Sequence, residues 1–298
     1  MNYFGWTLSD IRDGPLAQAI CGLLKENDAL VGPLQHVDRR SKRTPLTSMT
    51  VDDFQALLRQ PGKLDPEMGG LALAQPDERF AVHLRWSQAA EMPFSTMWGV
   101  AGEELFDEEG FSSAFAGFLK AMAGITHPEY LLAIHASDED SKRRLPRDVE
   151  AKIRNGERGN VPSYAAKPAR YLPCIPWLMI FGQRYVDFFG RDRLDVLGCH
   201  AKEWLSSGAC LITTSASPLQ YGTKEVRERE AAILVGLGQE AFFDPSNPYR
   251  IAAGPEYPVA LKKWVADPEE SWIQKPGQVW DASIRDGKLE VTERRHGQ

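Results

Sequence analysis

Ile175-Pro176-Trp177-Leu178-Met179-Ile180-Phe181-Gly182 is the stretch on which the fold turns. Ile175 to Phe181 is nearly continuous in apolar side chains, which predicts a central strand buried on both faces, ended by Gly182. Working outward, Tyr185, Val186, Phe188 and Phe189 predict a short helix stopped near Gly190. Ala201–Leu205 and Ala209–Thr214 flank the turn residues Ser206-Ser207-Gly208 and read as a hairpin. A long helix follows from Thr223, with Val226, Ile233, Leu234 and Leu237 inward. Its outer face carries Lys224, Glu225, Arg227, Glu228 and Arg229, and Gly238 caps its end. The order strand, helix, strand, strand, helix predicts a sheet with helices packed on it.

Toward the N-terminus the pattern is looser. Asp13 and Pro15 open a helix that buries Leu16, Ala19, Ile20, Leu23 and Leu24 and fades by Asn27-Asp28. Thr50 with Asp53 makes a capping-box start for a helix carrying Val51, Phe54, Leu57 and Leu58, ended by Pro61-Gly62. Phe80–Trp86 alternates as a half-buried strand does, Thr96–Val100 is a second strand, and Met92-Pro93 marks the turn between them. The acidic run Glu103-Glu104-Leu105-Phe106-Asp107-Glu108-Glu109 leads into a helix whose stripe is Phe111, Ala114, Phe115, Phe118, Leu119 and Met122, with Gly124 as its stop. Tyr130–His135 reads as a strand, with Asp138-Glu139-Asp140 as the solvated turn that closes it. A weak helix spans Arg147 to Arg154.

An irregular Gly- and Pro-rich connection after residue 155 divides the chain into halves 1–155 and 156–298, unless one domain runs through it. Beyond Asp244 the chain is rich in Pro and Trp. A short helix is expected from Val259 to Val265, and a terminal hairpin turns at Asp286-Gly287 between Ile284 and Val291. The fold class is α+β: a mainly antiparallel sheet with helices packed on one face, arranged as one unit or as two similar α/β halves.

Composition narrows the function classes. Hydrophobic residues make up 43% and charged residues 26% of the 298, enough for a real core, and the formal net charge is −6. That sign disfavours a nucleic-acid partner. The basic run Asp38-Arg39-Arg40-Ser41-Lys42-Arg43 reads as a solvated loop, and Lys142-Arg143-Arg144 with Arg147 is screened by the acids before it. Cys21, Cys174, Cys199 and Cys210 match neither a zinc ribbon nor a disulfide framework and read as reduced, small hydrophobes. The start has no signal-peptide pattern and no stretch is long and apolar enough for a membrane span, so the expected compartment is the cytoplasm.

No catalytic motif emerges. Gly69-Gly70 lacks the Lys-Ser/Thr of a phosphate loop, and Gly236-x-Gly238 sits at a helix end. Neither a G-x-S-x-G elbow nor an H-E-x-x-H pair is present. His83 and His135 fall on strands and are candidates to face each other. Cys199-His200 points to opposite faces of an extended chain, which spoils a nucleophile–base pair. No catalytic, cofactor-binding or metal-ligating residue is assigned, and no cofactor is expected.

One resemblance adds a direction. Pro176–Gly182, then Tyr185-Val186-Asp187-Phe188-Phe189-Gly190-Arg191-Asp192-Arg193-Leu194, the paired strands ending at Ser217-Pro218 and the charged helix to Gly238 resemble bacterial immunity proteins of polymorphic and type VI secreted toxin systems. The pattern resembles that of the immunity protein 52 family, linked to restriction-endonuclease-fold nuclease toxins, and is similar to that of a related type VI immunity family. The likeness spans Ile175 to Asp244. It implies a non-catalytic protein that neutralises a cognate toxin by occlusion, through complementary charge and aromatic anchors. A nuclease toxin presents a basic face to its substrate, which an acidic inhibitor matches. The candidate charge contacts are Glu103, Glu104, Asp107, Glu108, Glu109, Asp138, Glu139 and Asp140, and the candidate anchors are Trp264 and Trp272. Two other readings stay open: a hydrolase working through paired carboxylates, and a scaffold subunit of a larger assembly.

Overall fold

The computed structural model describes residues 1–37, 43–62, 67–88, 94–155, 171–248, 250 and 252–257, together with the backbone of 278–285 and 288–295. In its first part the chain forms β1 (Asn2–Thr7), α1 (Gly14–Glu26), α2 (Asp28–Val31), β2 (Gln35–Val37), β3 (Arg43–Pro45) and α3 (Val51–Leu58). Next come β4 (Met68–Ala74), β5 (Phe80–Ser87), β6 (Phe94–Ala101), α4 (Phe111–Thr126), β7 (Tyr130–Ile134), α5 (Ala136–Arg143) and α6 (Arg147–Arg154). The last part holds β8 (Leu178–Phe181), α7 (Gln183–Phe189), α8 (Arg191–Asp195), β9 (Ala201–Trp204), β10 (Cys210–Thr213) and α9 (Lys224–Leu237). A two-stranded antiparallel hairpin of β11 (Gln278–Arg285) and β12 (Lys288–Arg295) ends the described backbone; the expected turn residues Asp286-Gly287 lie outside the described residues.

A ten-stranded sheet in the order β3-β2-β4-β5-β6-β1-β7-β8-β10-β9 organises the molecule, and the pairings along it are antiparallel. The class is therefore α+β with an antiparallel sheet, as the pattern predicted. The division at 155/156 falls between β7 and β8, which pair from Tyr130↔Phe181 to Ala133↔Leu178, so the sheet runs across it.

The helices are not confined to one face. Leu131 and Ala133 of β7, with Leu178 and Ile180 of β8, join the apolar side of α1, α3 and α4 on one face. Tyr130, Leu132 and Ile134, with Met179 and Phe181, join α7, α8 and α9 on the other. Successive side chains of a strand point to opposite faces, so strands covered on both faces read as unbroken apolar runs. That is the physical content of Ile175–Phe181. Strand β5 shows the contrary pattern: Phe80, Val82, Leu84 and Trp86 are buried against α1, α3 and α4, while Arg85 is exposed.

The strand β1, absent from the sequence reading, lies at the centre of the sheet between β6 and β7. Tyr3 there donates its hydroxyl to the Ala81 carbonyl at 2.6 Å, crossing Gly99. Any side chain at Gly99 would collide with that ring and with the Ala81 oxygen. Strand β4 was also missed because of its glycines. At Gly69 a Cβ would run into the Gln60 carbonyl and the Trp86 ring, so the glycine serves close packing.

Local signals at helix ends held in part. Thr50 and Asp53 exchange the two capping-box hydrogen bonds, at 3.0 and 3.1 Å. Thr223 caps α9 through the Val226 N–H. Helix α4 runs past Gly124 to Thr126, where His127 takes the left-handed cap. Ala114, expected on its buried stripe, is exposed.

Candidate functional site

The sheet register brings one set of strand ends together. Phe80 pairs with Ala101, Asn2 with both Val100 and Ile134, Ala133 with Leu178, and Leu178 with Thr213. The β4–β5 turn, the segment after β6 and the segment after β7 therefore share one end of the sheet. Gly102 donates its N–H to the Arg79 carbonyl at 2.6 Å, tying the first two of these together.

Glu103–Asp107 forms a 3-10 turn of its own. Leu105 and Phe106 are buried, and Phe106 meets Phe111, Phe115 and Trp177 edge to face. This anchoring leaves Glu103, Glu104, Asp107, Glu108 and Glu109 exposed. The first turn of α4 contains no acid and Gly110 is its cap, so these carboxylates stand before the helix and not within it. Asp77 and Glu78, also exposed, extend the acidic surface onto the β4–β5 turn. Sequence reasoning missed them because they are adjacent only through the sheet register.

The second acidic run behaves differently. Asp138-Glu139-Asp140 is not a solvated turn; it lies in α5, and only Asp140 is exposed. Asp138 is 1% exposed and Glu139 8%. Asp138 receives Lys142 Nζ at 2.7 Å and Arg227 Nη1 at 2.7 Å. Glu230 on α9 shares both cations, at 2.8 Å to Lys142 and 3.0 Å to Arg227. Lys142 also donates to the Ile175 carbonyl at 2.6 Å. Glu139 accepts from Arg143 at 3.1 Å and from Asn2 Nδ2 at 3.1 Å. These two carboxylates are thus committed inside the protein and are removed from the set of surface contacts. Arg227, expected on the outer face of α9, is turned into this network.

His135 joins the two runs. Its Nδ1 accepts the Ser137 N–H at 3.2 Å, which leaves the proton on Nε2, 3.2 Å from the Glu103 carboxylate. The ring is stacked on Tyr221 at 4.3 Å. His135 and His83 do not face each other: His83 stacks on Trp98 at 3.7 Å, on strands beyond β1.

At the opposite end of the sheet Glu129 and Arg184 line an open groove of about 350 Å³ with Gln183 and Asp187. Burial raises the Glu129 carboxyl above its ordinary range, against the pull of Arg184 at 3.4 Å. The thiols of Cys174 and Cys210 are pushed up to about 12, mainly by burial, which suits inert core residues. His200 donates its backbone N–H to the Thr213 carbonyl, a strand pairing with no chemistry in it. Among the described residues no group of three or more His, Cys, Asp or Glu is placed to hold a metal ion. No described helix is long and apolar enough to cross a membrane. Trp264 and Trp272 lie outside the described residues, as do the run at 38–42 and the expected helix at 259–265.

The site that the structure assembles is therefore an acidic surface at one end of the sheet: Glu103, Glu104, Asp107, Glu108, Glu109 and Asp140, joined by Asp77 and Glu78. Like charges held together this way repel one another and attract a basic partner. No protein-family profile matches the chain, and no curated protein matches it. Among solved structures it is similar to one described as Pseudomonas aeruginosa T6SS protein PA0821, with a TM-score of 0.57 at 11% identity, covering 91% of this chain and 84% of that one. The chain shares that protein's fold.

Proposed function

We propose that the chain is an immunity protein of a type VI secretion system, which binds a cognate secreted toxin and neutralises it by occlusion without catalysing a reaction. The observation that carries the reading is the exposed carboxylate surface on a rigid frame. Its acids sit on segments anchored by Leu105, Phe106 and the sheet itself. A nuclease toxin has to offer positive charge to phosphates, and an inhibitor that covers that charge presents carboxylates in their place. The T6SS description of the structural neighbour supports the setting. The producing cell's cytoplasm is the compartment that this role requires.

The hydrolase reading has less support. It needs two carboxylates free to exchange protons across a substrate. Asp138 and Glu230 are buried between Lys142 and Arg227 instead.

The test is coexpression with the product of the adjacent gene. A stable complex that inhibits that product's activity is expected, and its affinity should fall with salt and with Glu104→Lys/Glu108→Lys/Glu109→Lys. Absence of any complex between the two purified proteins would sink the proposal.

A further inference from the structure

Beside the acidic surface is a groove of about 460 Å³. It lies where α2, the β4–β5 turn and the start of α4 meet. Leu30, Leu105 and Phe111 supply apolar walls, and Glu108 and Glu109 line it as well. The side chain of Gln75 also lines the groove. It is 7% exposed and packs over Gly32, where any Cβ would collide with its amide. Gln75 Nε2 donates to the Val31 carbonyl at 2.7 Å, whereas Oε1 has no hydrogen-bond partner among the described residues. A buried acceptor left open is costly and calls for a donor.

We propose that this groove receives an arginine side chain of the bound partner. The inference rests on reading the acidic end as a docking face, and names the group that the face takes. Its open groups are acceptors, the Glu108 and Glu109 carboxylates, and the unpartnered Gln75 amide oxygen is buried in its wall. Arg79, the cation that also lines it, is paired with Asp77 at 2.7 Å. An arginine presents five N–H donors in a planar fork and is weakly hydrated, so it suits several acceptors above apolar walls. A lysine ammonium is compact and strongly hydrated, and matches such walls less well.

The experiment uses the full chain and needs no toxin. Acetyl-arginine-methylamide is titrated while the Gln75 side-chain amide is followed by NMR, its signal assigned through Gln75→Met. The neutral analogue acetyl-citrulline-methylamide is the control. A saturable shift is expected, with binding about tenfold weaker for the citrulline compound. Ala114→Trp, at an exposed helical position on the groove, should abolish it. Glu108→Gln/Glu109→Gln, which changes only exposed side chains, should weaken it about fivefold. Glu225→Gln, exposed on α9, should leave it unchanged.

No saturable shift, equal affinity for the two compounds, or undiminished binding by folded Ala114→Trp would overturn the proposal. So would a dimeric free chain that Ala114→Trp dissociates, since a second copy would then fill the groove. Should Ala114→Trp not fold, the Glu108→Gln/Glu109→Gln variant carries the test alone. Arginine binding without any complex with the adjacent gene's product would sustain the groove while the immunity reading fails. A charge-dependent complex indifferent to Ala114→Trp would do the reverse.

Discussion

Glu103–Glu109 and Asp138–Asp140 look alike as strings of acids, and the protein uses them in opposite ways. The first run is pinned down by the apolar pair within it, Leu105 and Phe106, so its carboxylates are left outside. The second sits on a helix whose inner side meets α9, and its carboxylates are drawn inside by Lys142, Arg143 and Arg227. A charge is buried only where a counterion is supplied, and these cations come from the next helical turn and from a helix about ninety residues away. Glu129 is the contrasting case. It is as buried as Glu139, but its counterion Arg184 stands at 3.4 Å and is half exposed, so burial dominates and its carboxyl is raised.

The contrast is open to measurement. The largest effect is expected from Asp138→Ala, which strips Lys142 and Arg227 of a shared partner. A loss of about 3 kcal/mol in urea denaturation is expected, the low end for a broken buried pair because Glu230 stays in place. A loss under 1 kcal/mol would mean that the pair is solvated after all.

Next is Glu104→Lys/Glu108→Lys/Glu109→Lys. Folding stability should change by no more than about 0.5 kcal/mol, while affinity for the adjacent gene's product drops about 100-fold and loses its salt dependence. The reverse outcome, a destabilised chain with unchanged binding, would exchange the roles of the two runs.

A smaller effect is expected from His135→Leu, which removes the α5 cap and the contact to Glu103. About 1 kcal/mol of stability should go, seen as a lower denaturation midpoint.

The smallest effect separates Glu129 from both runs. An acid whose folded pKa is raised favours the folded state when protonated. Stability should therefore decline as pH rises above the ordinary carboxyl value of 4.5 and through the raised value. Glu129→Gln should remove that decline, and a pH profile unaltered by this change would show that Arg184 already neutralises the carboxylate.

Much of the architecture was legible residue by residue. The apolar run ending at Phe181, the alternation of Phe80–Trp86, the hairpin around Ser206-Ser207-Gly208, the Thr50 cap and the helix start at Thr223 all announce themselves within one element. The strands β1 and β4 did not. Asn2–Thr7 is short and carries a glycine, and Met68–Ala74 opens on two, which weakens any strand pattern. Both are stabilised by neighbours distant in the chain, through Tyr3 across Gly99 and Trp86 across Gly69. The site was half legible: Glu103–Glu109 and Asp140 were found as charges, Asp77 and Glu78 were not, and Asp138 and Glu139 were placed on the wrong side of the surface.

By itself the sequence determined the α+β class, the positions of most helices and strands, and a surplus of negative charge. Those properties are local, because periodicity, capping and composition act over a few residues. Only the tertiary structure decided which acids face solvent, that the β4–β5 turn joins them, and that helices cover both faces of the central strands. These depend on strand order and on counterions brought from afar, and no window of neighbouring residues contains that information.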